Sequence, residues 1–386
     1  MKKAISIILA VLLTIGGLFI LTPAGSDFIK SLSIASLFSK KNDYSVSLGF
    51  LYSAVKTKDG SLYMWGCNNV GQLGNGTTND SLTPIKIMDN VASVSLGQVH
   101  SAAITKDGSL YMWGNNKYGE LGDGTNNDSS TPIKIMDNVA SVSPGHRHSA
   151  AITKDGSLYT WGNNQVGQLG NGTTNDSSTP IKIMDNVASV SLGLGNSSAI
   201  TKDGSLYMWG TNLSGQLCNG TKNPSYTPIK IMDNVASASL GYYHYAAITK
   251  DGSLYMWGSN YHGELGDGTT NDGQKPKKIM NNVASVSLGE NLSAAITKDG
   301  SLYLWGWNYY GQLGDGTTND SSTPIKIMDN IASVSLGRYH SAAITKDGSL
   351  YVWGFNKYGQ LGNGTKKSSK TPIKIEIPPR NNNTRY

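Results

Sequence analysis

Charge is what this 386-residue chain is shortest of: Asp, Glu, Lys and Arg together make up 15% of it. Disordered chains are rich in charge and poor in aromatic residues, and a chain with 20 tyrosines and 8 tryptophans is the reverse. Cysteine is nearly missing. Cys67 and Cys218 stand at non-equivalent places in the pattern described below, so a disulfide-stapled scaffold is excluded and both read as unpaired thiols. The chain also lacks zinc-type Cys/His spacing, a phosphate-binding glycine loop, and any Ser/His/Asp or Cys/His set for nucleophilic catalysis. Beyond the N-terminal segment no stretch carries apolar residues at a period of 3.6, which removes helix as a building element.

Glycine, by contrast, is abundant at 46 residues, and it falls between short apolar segments as turn-rich all-β chains require. The spacing is regular. Trp65, Trp113, Trp161, Trp209, Trp257, Trp305 and Trp353 lie 48 residues apart without insertion, in units that begin at residues 44, 92, 140, 188, 236, 284 and 332. Each unit reads as four short strands. In the second unit they are A (92–96), B (101–105), C (109–113) and D (132–135). Asp107-Gly108 is expected to form a two-residue type I′ hairpin between B and C, and Pro132 to open D, where a missing N–H is tolerated. The pattern predicts an all-β fold, a seven-bladed β-propeller of four-stranded antiparallel blades, preceded by an N-terminal hydrophobic helix. An open solenoid of the same units is the rival architecture.

The run Trp113-Gly114-Asn115-Asn116-Lys117-Tyr118-Gly119-Glu120-Leu121-Gly122 is similar to the Trp-Gly-x-Asn-x-x-Gly-Gln-Leu-Gly motif of RCC1 repeats. Gly97-x-x-His100-Ser101 and Asp107-Gly108 fit the same pattern, and the match recurs seven times over residues 44–379. The resemblance implies a seven-bladed propeller, in agreement with the count. For function it implies several things. The family's namesake is a nucleotide exchange factor for a small GTPase and works through a loop inserted between strands, which this chain lacks. A light-sensing branch carries Gly-Trp-Arg-His-Thr, where this chain has Gly145-His146-Arg147-His148-Ser149. An exported branch, which includes a β-lactamase inhibitor, binds proteins with one face of the ring and is the better analogue.

The N-terminus supports that choice. Met1-Lys2-Lys3 precedes an apolar run from Ala4 to Leu21, followed by Ala24, Gly25 and Ser26. This is the layout of an export signal, either cleaved after Ser26 or retained as an anchor. The expected organisation is therefore a signal or anchor at 1–26, a linker at 27–43, seven repeats as one propeller at 44–379, and a tail at 380–386. Net charge is +6, but the excess lysines and arginines sit mainly at the chain ends and form no continuous stripe. A nucleic-acid partner is not expected.

Repetition also disposes of most chemical candidates. Asp59, Asp107, Asp155, Asp203, Asp251, Asp299 and Asp347 recur in every B–C hairpin, and a catalytic pair needs two singular environments. The loop Asp123–Asp128 and its copies read as Asx turns, with no EF-hand spacing for calcium. His100, His148, His244 and His340 share one slot, which holds Tyr52, Asn196 and Leu292 elsewhere, so a metal centre is not expected there. The chain reads as a non-enzyme with no cofactor, acting as a monomer.

Variation is concentrated in the A–B and C–D loops, which an antiparallel blade brings to one face. There the last three units are rich in residue types that dominate interfaces: Tyr242, Tyr243, Tyr245, Tyr261, Trp307, Tyr309, Tyr310, Arg338, Tyr339, Phe355 and Tyr358. Phe50 and Tyr52 of the first unit join them on closure of the ring. These thirteen are the candidate ligand-binding residues. The expected function is an exported scaffold that binds a protein or glycan through this face. The alternative is an exchange-factor-like regulator of a small GTPase.

Overall fold

The computed structural model describes residues 44–213 and 215–377. The expected N-terminal helix, the linker and the tail lie outside them. Among the described residues no helix is long and apolar enough to cross a membrane.

Among the described residues twenty-eight strands form seven separate four-stranded sheets, each made of consecutive strands in the order A-B-C-D. In the second blade they are β5 (Val91–Leu96), β6 (His100–Thr105), β7 (Leu110–Gly114) and β8 (Ser129–Met136). All pairings are antiparallel. The A strands touch one another all the way round, including β1 (Ser45–Leu48) with β25 (Ile331–Leu336), so they line the axis and the ring is closed. Among the described residues no strand is exchanged between the first and last blades.

Two details differ from the sequence reading. The B–C connection is a three-residue loop: Gly108 N donates to Thr105 O, Thr105 N donates to Ser109 O, and only Gly108, at φ 94°, takes positive φ. Thr105 Oγ1 donates to Asp107 Oδ1, so the Asp side chain braces the turn instead of occupying a left-handed position. Pro132 lies within β8, not at its start. The register between Met112↔Ile133 and Gly114↔Ser129 is broken there, and β8 is an outer edge strand where a missing N–H costs no ladder bond.

The seams between blades explain the period of 48. Each of the seven tryptophans is buried, and its Nε1 donates to a main-chain carbonyl of the preceding blade, as Trp113 does to Gln72 at 3.0 Å. Trp65 does the same to Gln360 of the last blade at 2.9 Å, closing the ring with the bond used everywhere else. The last glycine of each Gly-Gln-Leu-Gly run lets this happen. A Cβ at Gly74 would stand 2.6 Å from the Trp113 Nε1.

The histidine slot belongs to the same seams. Ser149 Oγ donates to Glu120 O at 2.8 Å, so His100 Nε2, 3.0 Å from that hydroxyl, must be the donor in their contact. His148 with Ser197 and His340 with Ser53 repeat the arrangement at 3.0 Å. Burial holds these three imidazoles neutral, with pKa values lowered to about 3. Each serves a different seam, so they do not converge on a metal site.

Candidate functional site

The rim of the ring is built by loops that the sequence makes rigid. After each Trp-Gly pair an Asn acts as a hub. Asn116 Oδ1 accepts from Leu121 N at 2.9 Å, its Nδ2 donates to Asp123 Oδ1 at 3.0 Å and Thr125 O at 3.1 Å, and its own N donates to Asp128 Oδ1 at 2.7 Å. The A–B loop is tied alongside, as Asn115 N donates to Val99 O at 3.0 Å and Phe355 N to Tyr339 O at 2.9 Å. Residues that project from such loops lose little freedom on binding, which lowers the cost of association.

Eleven of the thirteen candidate residues project here, and most of them touch. Trp307 is the hub: its ring lies 5.7 Å from Tyr310, 5.5 Å from Tyr339 and 6.3 Å from Tyr309, the last stacked at 15°. Tyr310 packs on Phe355 at 4.6 Å, Phe355 meets Tyr358 at 6.4 Å, and Tyr339 meets Phe50 at 5.8 Å across the closure of the ring. Tyr261 joins through His262, which lies 4.9 Å from it and 5.7 Å from Trp307. The outer part of this shelf is open to solvent, with Tyr261 79% and Tyr309 66% exposed. Tyr242 and Tyr243 form a second group with centroids 6.4 Å apart.

Tyr52 and Tyr245 do not belong. Both are 0% exposed, inside the seams. Tyr52 Oη donates to His100 O at 2.8 Å, and Tyr245 Oη donates to Asn196 Oδ1 at 2.6 Å. Tyr245 takes the slot of Ser149, and the smaller Asn196 facing it takes the slot of His100, so the two substitutions compensate in volume across one seam. Neither tyrosine can reach a ligand on the rim.

Sequence reasoning named three of the axial residues, Phe50, Tyr242 and Arg338, and missed the others. One slot, directly after the seven glycines that line the neck, carries Phe50, Gln98, His146, Leu194, Tyr242, Glu290 and Arg338, seven different residues in an otherwise repeated unit. All but Leu194 line a central funnel of about 520 Å³ counted out to open solvent. The glycines are required there because the backbones converge; a Cβ at Gly289 would meet Gly337 O at 2.6 Å. Arg338 lies over the edge-to-face pair of Phe50 and Tyr339, 4.2 and 4.6 Å from their centroids, and forms an ion pair with Glu290. Burial pushes the Glu290 carboxyl up to about 7 despite that partner. His146 is pushed down to about 4 by burial and then by Arg147 and Arg338, and its ring meets Tyr242 at 5.5 Å. The signal that would have found Glu290, His146 and Gln98 was shared slot number, not residue type.

The profile of the RCC1-like domain matches residues 27–337, and that of the regulator of chromosome condensation (RCC1) repeat matches 331–360 and 347–385. The chain belongs to the RCC1-like family. Solved structures share its fold. Human WBSCR16 is 24% identical with a TM-score of 0.71, over 79% of this chain and 87% of that one. Prp20p, the RCC1 of Saccharomyces cerevisiae, is 22% identical with a TM-score of 0.73, over 89% of each chain. No curated protein matches. In this RCC1-like ring the B–C hairpins repeat one sequence seven times, and the rim and funnel do not.

Proposed function

We propose that this RCC1-like propeller is a non-enzymatic scaffold that binds a partner protein through the A–B/C–D rim, with the shelf from Tyr261 to Phe50 as the principal contact. The observation that carries the reading is Trp307 as hub of a continuous, partly exposed aromatic shelf on rigid loops, in a ring whose other connections are uniform. Aromatic residues on pre-organised loops give large contact area at small entropic cost. Yeast RCC1, which shares the fold, has been crystallised bound to Kap60, so a propeller of this shape is compatible with a protein partner. Exchange-factor action is less well supported, because the seven units have equal length and no inserted loop. A glycan would be the other occupant of such a shelf.

The test is capture of partners by the full chain. A protein retained by the native chain is expected to bind Trp307→Ala or Tyr243→Ala weaker by about 2 kcal/mol or more, roughly thirtyfold. A partner bound equally well by both variants would put the site elsewhere. The same reading places the chain outside the cytoplasm, on the strength of the basic-then-apolar segment at 1–26. The full chain fused at its C-terminus to a reporter active only after export should give signal; a silent reporter reopens the exchange-factor reading.

A further inference from the structure

We infer that the axial funnel is a socket for one carboxylate, the tip of an acidic side chain of the partner polypeptide. This rests on the rim reading above and names what enters its centre. Four observations converge. Arg338 is steadied over the ring pair of Phe50 and Tyr339, and its ion pair with Glu290 is made through Nε, so donor capacity remains at the Nη end of the planar fork that fits a carboxylate. The Tyr242 hydroxyl is buried at the funnel without a hydrogen-bond partner among the described residues, and a buried donor without an acceptor calls for one. Gln98 adds an amide donor to the same lining. Glu290, the acidic group in that lining, is already paired with Arg338.

The funnel's size limits the occupant. At the neck the backbones converge until a Cβ at Gly289 would meet Gly337 O at 2.6 Å, whereas an α-helix is about 10–12 Å across with its side chains, so a single side chain is what reaches the axis. A cationic side chain would approach Arg338 head-on. A metal ion has no ligand set, since no group of three His, Cys, Asp or Glu suited to one occurs among the described residues. A carboxylate instead meets donors from three blades and competes only with Glu290.

Arginine-labelled NMR tests this on the full chain, which has only four arginines, Arg147, Arg338, Arg380 and Arg385. N-acetyl-glutamate amide is expected to shift the Arg338 Nε resonance saturably, and N-acetyl-glutamine amide and N-acetyl-lysine amide to leave it unmoved. Tyr242→Phe, which keeps the ring and removes only the hydroxyl, should weaken the response about tenfold, the scale of a hydrogen bond to a charged group. Glu290→Gln should strengthen it by removing the competing carboxylate, and Arg338→Gln should abolish it. An equal shift with the glutamine or lysine amide, or with chloride alone, overturns the socket, as does weaker binding in Glu290→Gln. The probe needs no partner. A silent titration beside a Trp307-dependent partner therefore overturns the socket alone. A positive titration beside a partner indifferent to Trp307 overturns the rim reading alone.

Discussion

Seven tryptophans sit in the seams of this ring and an eighth sits on its rim, and the two situations differ in every physical respect. A seam tryptophan is buried and hydrogen-bonded to the preceding blade, and a glycine is cleared to admit it. Trp307 is half-buried, and its ring meets those of His262, Tyr309, Tyr310 and Tyr339 on the rim. The seam residue recurs because each seam poses the same packing problem. The rim residue occurs once because no packing problem demands it. In this ring repetition reports what holds the blades together, and departures from it are of two kinds: compensated packing inside a seam, as at Asn196 and Tyr245, and variety open to solvent on the rim, as at Trp307 and Tyr309.

The contrast can be broken in several ways, of which acid gives the largest expected effect. His100, His148 and His340 stay neutral in the folded seams down to about pH 3, whereas in the unfolded chain they protonate near 6.5. The unfolded state then binds more protons below 6.5. Stability should fall by about 1.4 kcal/mol per pH unit for each histidine as pH drops from 6.5 toward 3. Glu290 in the funnel has the opposite sign, because its folded pKa lies above its unfolded one and its ionisation costs stability as pH rises toward 7. Denaturant unfolding between pH 4 and 8 measures both, and the Glu290→Gln variant isolates the second.

Next in size is the tryptophan comparison itself. Trp209→Ala should destabilise the ring by about 3–5 kcal/mol, as for a large buried aromatic. Trp307→Ala should change the unfolding midpoint little and act on partner binding. Equal destabilisation by both would erase the distinction. A compensated seam sharpens it further. Asn196→His and Tyr245→Ser should each destabilise, one by overpacking and one by leaving a cavity. The double variant restores the His–Ser pair of other seams and should recover most of the loss, by about 1–3 kcal/mol in a double-mutant cycle. Additive losses would mean that the two residues do not share a seam.

The smallest effect is a gain. Cys218 stands where most repeats have the last Gly of the Gly-Gln-Leu-Gly run, at φ 54°, beside the seam of Trp257. A non-glycine residue in that region is strained by roughly 1–2 kcal/mol. Cys218→Gly should stabilise the ring by about 0.5–1 kcal/mol after the added freedom of the unfolded chain is subtracted. A loss on thermal unfolding would show that the thiol packs well enough to offset the strain.

Not all of the rim was legible, and the misses have a common cause. Tyr245 lies within the second strand of its blade, paired with Trp257, and the alternation of side chains along a strand turns it into the seam. Reading it as one of a run of tyrosines from Tyr242 counted residue type and ignored the pleat. Tyr52 fills the histidine slot and was misplaced for the same reason. Glu290 and His146 were passed over because neither is an interface aromatic, although both share a slot with Tyr242 and Phe50. The expected type I′ turn failed because Asp-Gly also suits a three-residue loop, in which the side chain of Asp107 bonds to Thr105.

The sequence by itself determined the number of blades and the strands within them, and it left an open solenoid as the rival to a closed ring. Blades and strands follow from local periodicity and from contacts that each repeat makes with the next, so one unit specifies them all. Only the tertiary structure decided that the ring closes, which aromatic residues lie on the rim and which inside the seams, and what stands at the axis. Seven slots separated by 48 residues each meet there, and no local pattern relates Glu290 of one blade to Arg338 of the next or to Phe50 of the first. Closure brings them together, and the glycine neck sets how closely.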